Sequence, residues 1–140
     1  MANPGPASTQ TIHPQNVLSN QSIRLLAVAT GVNVNQTGDV AVLNIANATN
    51  WSVSNVVFTN ASISLTTAAA GVFTAPSATG SIVANAALSG LTGPTIVSQR
   101  TVASTAINTG EKLYVNVGTA QGAAATMDVY VYGYDFSTYA

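Results

Sequence analysis

From about residue 22 to the C-terminus, apolar and polar residues alternate with a period of two along most of the chain. The clearest case is "MDVYVYGYD" (127–135), where valines interleave with Tyr130, Tyr132 and Tyr134. Successive side chains of a β-strand point to opposite faces, so the valines share one face and the three rings share the other. The pattern predicts a strand whose valine face packs on a core, and it leaves open what covers the tyrosines.

Other alternating stretches, rich in β-branched residues and separated by turn formers, predict an all-β protein. The regular spacing of the turns favours an antiparallel jelly roll or β-sandwich over a helical fold. "NQTGD" (35–39) predicts a turn, with Gly38 able to take a positive φ. "SIVANAALSGL" (81–91) leaves a short helix open, since Ala and Leu favour helices. The predicted strands are 22–30, 38–46, 51–59, 61–66, 71–75, 80–84, 94–103, 111–118 and 126–135.

One predicted strand carries apolar residues in two phases. In "WSVSNVVFTN", Trp51 and Val53 fall on one parity, and Val56 and Phe58 fall on the other. A regular strand cannot bury both pairs on one face, so we predict a β-bulge at 54–55.

The first predicted strand, in "SIRLLAVA", is apolar on both of its faces. Regular alternation places Ile23, Leu25 and Ala27 on one face and Leu26 and Val28 on the other. This pattern predicts burial on both sides, by a second layer or by a partner.

The N-terminal segment differs from the rest of the chain. Residues 1–20 contain three prolines and no sustained periodicity, so we predict an extended arm followed by a single domain at 21–140. Ile12, Val17 and Leu18 give this arm apolar side chains with which to dock on a partner.

Composition narrows the class of protein. Only 5% of residues are charged and the mean hydropathy is +0.34. These values argue against disorder and indicate a protein that stays bound to a partner. The three cations are far apart, so no nucleic-acid partner is expected. Apolar runs are too short for a membrane span, and no signal peptide is visible. The absence of cysteine fits a reducing compartment such as the bacterial cytoplasm.

Side chains suited to catalysis are few. The single histidine, His13, lies in the predicted arm. A catalytic base has to be held rigidly beside a nucleophile, and an extended arm does not hold it so. The four acids are Asp39, Glu111, Asp128 and Asp135, and the seven-residue step between the last two places them on opposite faces of one strand. The turn before Asp39 leaves a calcium site open as an alternative to a plain turn, although one carboxylate is few for tight binding. We therefore expect no enzyme, no cofactor and no metal.

The tyrosine row has two interpretations. Strand propensity alone favours Tyr on a half-exposed face. Tyr is also enriched at interfaces, and Phe136 continues the row on the same parity. We favour an interface, and the predicted interface residues are Tyr130, Tyr132, Tyr134, Phe136, Ile12, Val17 and Leu18.

The charge-poor Ser/Thr/Asn/Ala-rich composition, the Pro-rich arm and the terminal "LYVNVGTAQGAAATMDVYVYGYDF" (113–136) together resemble capsid cement (decoration) proteins of tailed bacteriophages. The resemblance implies a jelly roll that dimerises on the outside of the head and joins neighbouring major capsid subunits. It therefore implies the major capsid protein and a second copy of the chain as partners, and the virion as the location. It brings no catalytic residues.

A binding module of another class is the alternative. A tail-fibre or adhesin domain would recognise carbohydrate through Trp51 and the tyrosines. A cement protein is expected in numbers comparable to the capsid protein, whereas a fibre domain is expected in only a few copies.

Overall fold

A computed structural model describes residues 23–137, and every regular element in this range is a strand. The alternating pattern is what builds them, because each strand buries one face and leaves the other outward. The strands are β1 (Arg24–Asn33), β2 (Gly38–Asn44), β3 (Trp51–Thr59), β4 (Ala69–Ala75), β5 (Thr79–Ala87), β6 (Val97–Arg100), β7 (Lys112–Thr119) and β8 (Thr126–Asp135).

The strands form two antiparallel four-stranded sheets. Sheet 1 has the order β1-β8-β3-β6, and sheet 2 has the order β2-β7-β4-β5. Apart from the β4–β5 hairpin, each connection crosses from one sheet to the other. This arrangement of eight strands in two facing sheets is a jelly roll, so the predicted fold class is confirmed.

The core lies between the two sheets and is filled from both. Val129 and Val131 of β8 are fully buried there, which confirms the prediction for the valine face. They pack in one cluster with Leu43, Leu113 and Val115 of sheet 2. Burying a side chain of this size contributes about 1.5–3 kcal/mol, so the valine face anchors β8 between the sheets.

The predicted bulge in β3 is present. The pairing of β3 with β8 shifts register between Val53 and Asn55. Both parity pairs are consequently buried: Trp51 and Val53 before the shift, and Phe58 with its neighbour Val56 after it.

β1 contains a second bulge, which the sequence analysis missed. Its register with β8 shifts between Leu25 and Ala27, so Leu26 and Ala27 are both buried while Leu25 and Val28 are exposed. The expectation that Leu25 and Ala27 share a face is therefore wrong. Residues 23–137 leave Leu25 and Val28 exposed, so burial of that face by a partner stays a prediction. The extra residue of the bulge reverses the parity from Ala27 to Ala29, and a further register shift between Ala29 and Val32 restores it.

The predicted strand at 61–66 is wrong, because that segment is a loop. Its backbone groups bond elsewhere: Leu65 N–H donates to Leu91 O, and Ser62 N–H donates to Thr126 O. The side chain of Gln121 also donates to Ser64 O. With these partners, the backbone groups have no need of a neighbouring strand.

The alternative helix at 81–91 is also wrong. Strand β5 runs to Ala87 and pairs with β4, with Val83 opposite Val72. Burial of Ile82 and Val83 in the core outweighs the helix propensity of the alanines. The turn before β2 is as predicted, since Gly38 has a φ of 98°.

Candidate protein interface

The three tyrosines lie on the outer face of sheet 1, on a strand that has neighbours on both sides. β8 pairs with β1 along one edge and with β3 along the other. Tyr130, Tyr132 and Tyr134 point away from the valine face and are half-buried. The structure therefore brings three of the predicted interface residues together on one surface.

Apolar side chains of both neighbouring strands extend this surface. Leu25 and Val28 of β1 lie opposite Tyr132 and Tyr130, and they are 40% and 43% exposed. Val57 of β3 lies opposite Tyr130 on the other side. We call the surface formed by Leu25, Val28, Val57, Tyr130, Tyr132 and Tyr134 the outer aromatic face. Exposed apolar patches that span several strands typically mark contact sites.

Phe136 continues the outer aromatic face beyond the end of β8. Its ring stacks on Tyr134 with centroids 6.0 Å apart and planes inclined by 26°. Its backbone N–H donates to Asn50 O at 2.7 Å, which fixes the chain after the strand. Phe136 is 42% exposed, so its ring adds to the aromatic surface that the tyrosines present to solvent.

Polar contacts hold the two ends of β8. At one end, the Arg24 guanidinium pairs with Asp135 at 3.0 Å and donates to Ala46 O at 2.7 Å. At the other end, Asp128 accepts hydrogen bonds from Gly31 N–H at 2.9 Å and from Asn60 Nδ2 at 3.0 Å. These contacts hold both ends of β8, the strand that carries the three tyrosines, in place.

The outer face of sheet 2 carries a chain of hydrogen-bonded polar side chains. Asn116 Nδ2 donates to Asp39 Oδ1 at 2.9 Å, and Asn116 Oδ1 accepts from Asn85 Nδ2 at 3.2 Å. This polar chain passes over β4 at Gly71, where a Cβ would collide with Val83 O. Beside this amide chain, the same face carries Tyr114, which lies opposite Phe73 of β4 and the 48% exposed Val42 of β2, so sheet 2 also has aromatic and apolar residues on its outer face.

The acids are scattered, and the carboxylates of Asp39, Asp128 and Asp135 make structural hydrogen bonds. Hydrogen bonds from the Asn116 side chain and then from Ser77 N–H hold the pKa of Asp39 below the ordinary 3.8. Asp128 and Asp135 lie at opposite ends of β8. Within residues 23–137, no group of three or more His, Cys, Asp or Glu side chains lies close enough to hold a metal ion. In the same range, no helix has the length and apolarity to cross a membrane.

Trp51 does not have the position that the carbohydrate-binding alternative requires. The ring is 1% exposed, and its indole N–H donates to Gly110 O at 2.8 Å. A buried ring cannot stack on a sugar, so this part of the alternative is wrong. Trp51 instead anchors β3 in the core and holds the loop before β7.

Ile12, Val17 and Leu18, with the rest of the predicted arm, lie outside the described residues, as does His13. Their role in an interface stays a prediction. The residues that the sequence analysis missed are Leu25, Val28 and Val57. The bulge in β1 brings the first two to the outer face, and no polar residue in "LLAVA" indicates where that bulge falls.

No protein-family model and no curated protein matches this sequence. The fold is similar to that of a chain in the solved cyanophage Pam1 capsid asymmetric unit, with a TM-score of 0.52 and 14% sequence identity. The match covers 81% of this chain and 85% of that chain. Similarity at this level of identity shows a shared fold, here one that also occurs in a phage capsid.

Proposed function

We propose that this protein is a structural component of a tailed-phage particle that binds the outside of the head and joins neighbouring major capsid subunits. The outer aromatic face is the observation that carries the proposal. The shared fold with a chain of a phage capsid asymmetric unit supports it.

The outer aromatic face has the composition of a contact surface. Interface cores are rich in aromatic residues and poor in charge, and a buried Tyr or Phe contributes about 150–250 Å². Leu25, Val28 and Phe136 are exposed large apolar side chains around the tyrosines. With a net charge of −1 for the whole chain, electrostatic repulsion does little to keep partner surfaces away.

The proposed mechanism is mechanical, and it includes no catalytic step. Each copy adds buried area across a seam between capsid subunits, so local opening of the shell requires breaking these contacts as well. A homodimer would place such a surface on two subunits at once. Many copies on a lattice then multiply the resistance to opening, because each bound contact raises the effective concentration of the next.

The carbohydrate-binding alternative has less support. It relied on Trp51 as a stacking ring, and Trp51 is buried. The tyrosines form an outward-facing row, but Trp51, which was expected to bind carbohydrate together with them, does not reach that surface.

The test is reconstitution. Purified protein is mixed with phage heads that lack it, the heads are sedimented, and the bound protein is quantified. We expect saturable binding at a fixed ratio to the major capsid protein, together with a higher temperature of DNA release. Protein that stays in the supernatant at all concentrations contradicts the proposal.

A further inference from the structure

Arg100 lies in an unusual setting for a cation in this protein. It is on β6 opposite Val56, whose side chain is fully buried, so Arg100 leaves the strand on the core side of sheet 1. Its guanidinium carbon lies 5.3 Å from the centroid of the Phe58 ring. The cation is therefore half-buried at the open edge of the sandwich, stacked on a core aromatic residue.

The guanidinium is not neutralised within the described part of the chain. Nη1 donates to Ser98 Oγ at 3.1 Å, and Nη2 donates to Ala87 O at 3.1 Å. Both acceptors are neutral, whereas Arg24 has the carboxylate of Asp135. Because an Arg side chain carries five N–H donors, three remain without a partner among residues 23–137. Burial lowers the pKa of Arg100, since the charge is partly removed from water and no carboxylate offsets that cost.

Arg100 also lines a groove of about 340 Å³. Among residues 23–137, β6 is the last strand of sheet 1 and β5 is the last strand of sheet 2, so in this range the groove runs between two strands that each have one side without a strand partner. Ala103 N–H donates to Ile82 O at 2.7 Å and ties the two sheets together beside it. The walls are formed by Val83, Ala84 and Ala86 of β5 and by Gln99, Arg100 and Thr101.

We propose that this groove binds an extended polypeptide segment of another protein through a carboxylate side chain that pairs with Arg100. Charge complementarity is the first argument: a desolvated guanidinium with free donors matches an Asp or Glu, which accepts two parallel hydrogen bonds. The second is shape, because the small side chains of β5 and the edge of β6, which has no strand partner on one side among residues 23–137, suit an extended backbone, as in strand addition. The groove lies at the β6 edge and is separate from the tyrosine row, so the inference does not require the partner to be a capsid protein.

Two matched peptides test the proposal on the isolated protein. An acetylated and amidated Ala-Val-Glu-Val-Ala peptide, and the same peptide with Gln in place of Glu, are titrated into ¹⁵N-labelled protein. We expect the Glu peptide to shift the Arg100 Nε–H resonance and the β6 amides saturably. The Gln peptide should bind at least about tenfold more weakly, because charge-assisted hydrogen bonds are stronger than neutral ones. Equal affinity of the two peptides, or equal shifts at Arg24, overturns the proposal.

Variants and a small anion complete the test. Arg100→Gln should abolish the preference for Glu over Gln, and Arg100→Lys should reduce it, because Lys keeps the charge but loses the planar fork. If Arg100→Gln does not fold, the comparison of the two peptides on wild type and on Arg100→Lys shows whether Arg100 causes the preference for Glu. Acetate that binds as tightly as the Glu peptide shows a small-anion site and contradicts the polypeptide occupant.

Discussion

Tyr132 of β8 lies directly opposite Leu25 of β1 on the outer face of sheet 1, one position away from the buried Val131. The same strand that closes the core carries the exposed surface, so changes at adjacent residues are expected to have separate effects on folding and on association.

The first prediction compares Tyr132→Asp with Val131→Asp. Tyr132→Asp places an unpaired carboxylate in the proposed contact and should weaken binding to phage heads by about 2 kcal/mol or more, which is about thirtyfold. Its melting temperature should change little, because the side chain is on the outer face. Sedimentation with heads measures the first effect, and circular dichroism measures the second.

Val131→Asp is the matched control. It places a charge in the core and should destabilise the monomer by about 4 kcal/mol or more, a large part of the roughly 5–15 kcal/mol that stabilises a typical domain. If the two variants lose the same amount of stability, the tyrosine face is part of the core and the interface interpretation fails.

The second prediction concerns the part of the outer aromatic face that the β1 bulge creates. Leu25→Asp should weaken head binding by about tenfold, because Leu25 borders Tyr132 in the proposed contact. Thr37→Asp, in the exposed turn before β2, is the control and should bind as wild type does. Unchanged binding by Leu25→Asp would limit the contact to β8 or place it elsewhere.

The third prediction concerns Gly133, which lies between two of the tyrosines. A Cβ at this position would collide with Ser52 O of β3 and with the Leu26 side chain. Gly133→Ala should therefore lower the free energy of unfolding by about 1–3 kcal/mol, measured by urea denaturation. Gly90→Ala has open space around the new methyl group and should stay within about 0.5 kcal/mol of wild type. Equal stability of the two variants would mean that β8 and β3 are not packed as described.

The fourth prediction is a pH dependence set by Asp39. Hydrogen bonds from Asn116 and Ser77 hold its folded-state pKa below the ordinary 3.8, and unfolding removes them. The folded state therefore binds the proton less readily, and the resulting stability is present above about pH 4 and is lost as the pH falls below it. Asp39→Asn should melt below wild type at pH 7, and this gap should narrow at pH 3. A gap of the same size at both pH values would show that ionisation of Asp39 contributes nothing.

Sequence alone predicted the features that depend on local periodicity. β8 and the β3 bulge were visible because polar residues mark the phase on each side: Ser54 and Asn55 separate two apolar pairs. The β1 bulge was not visible, because Leu25 to Ala29 are apolar in every position and carry no phase. The outer aromatic face was therefore predicted only in its β8 part.

Other features depend on contacts between distant residues and leave no local signal. The loop at 61–66 alternates like a strand, and its backbone partners Leu91, Thr126 and Gln121 are far away in the sequence. The setting of Arg100 depends in the same way on Phe58 and on the edge of β5. The loop at 61–66 is determined by hydrogen bonds to distant residues, and the surroundings of Arg100 by the position of β6 at the edge of its sheet. Neither follows from the spacing of residues along the chain.

If this jelly roll is a stoichiometric component of a phage head, as we propose, its copy number in purified particles is the decisive measurement. Quantitative mass spectrometry of intact particles should measure this chain against the major capsid protein. We expect a copy number equal to that of the capsid protein or to a simple fraction of it. A handful of copies per particle, or none in particles freed of soluble protein, would contradict it.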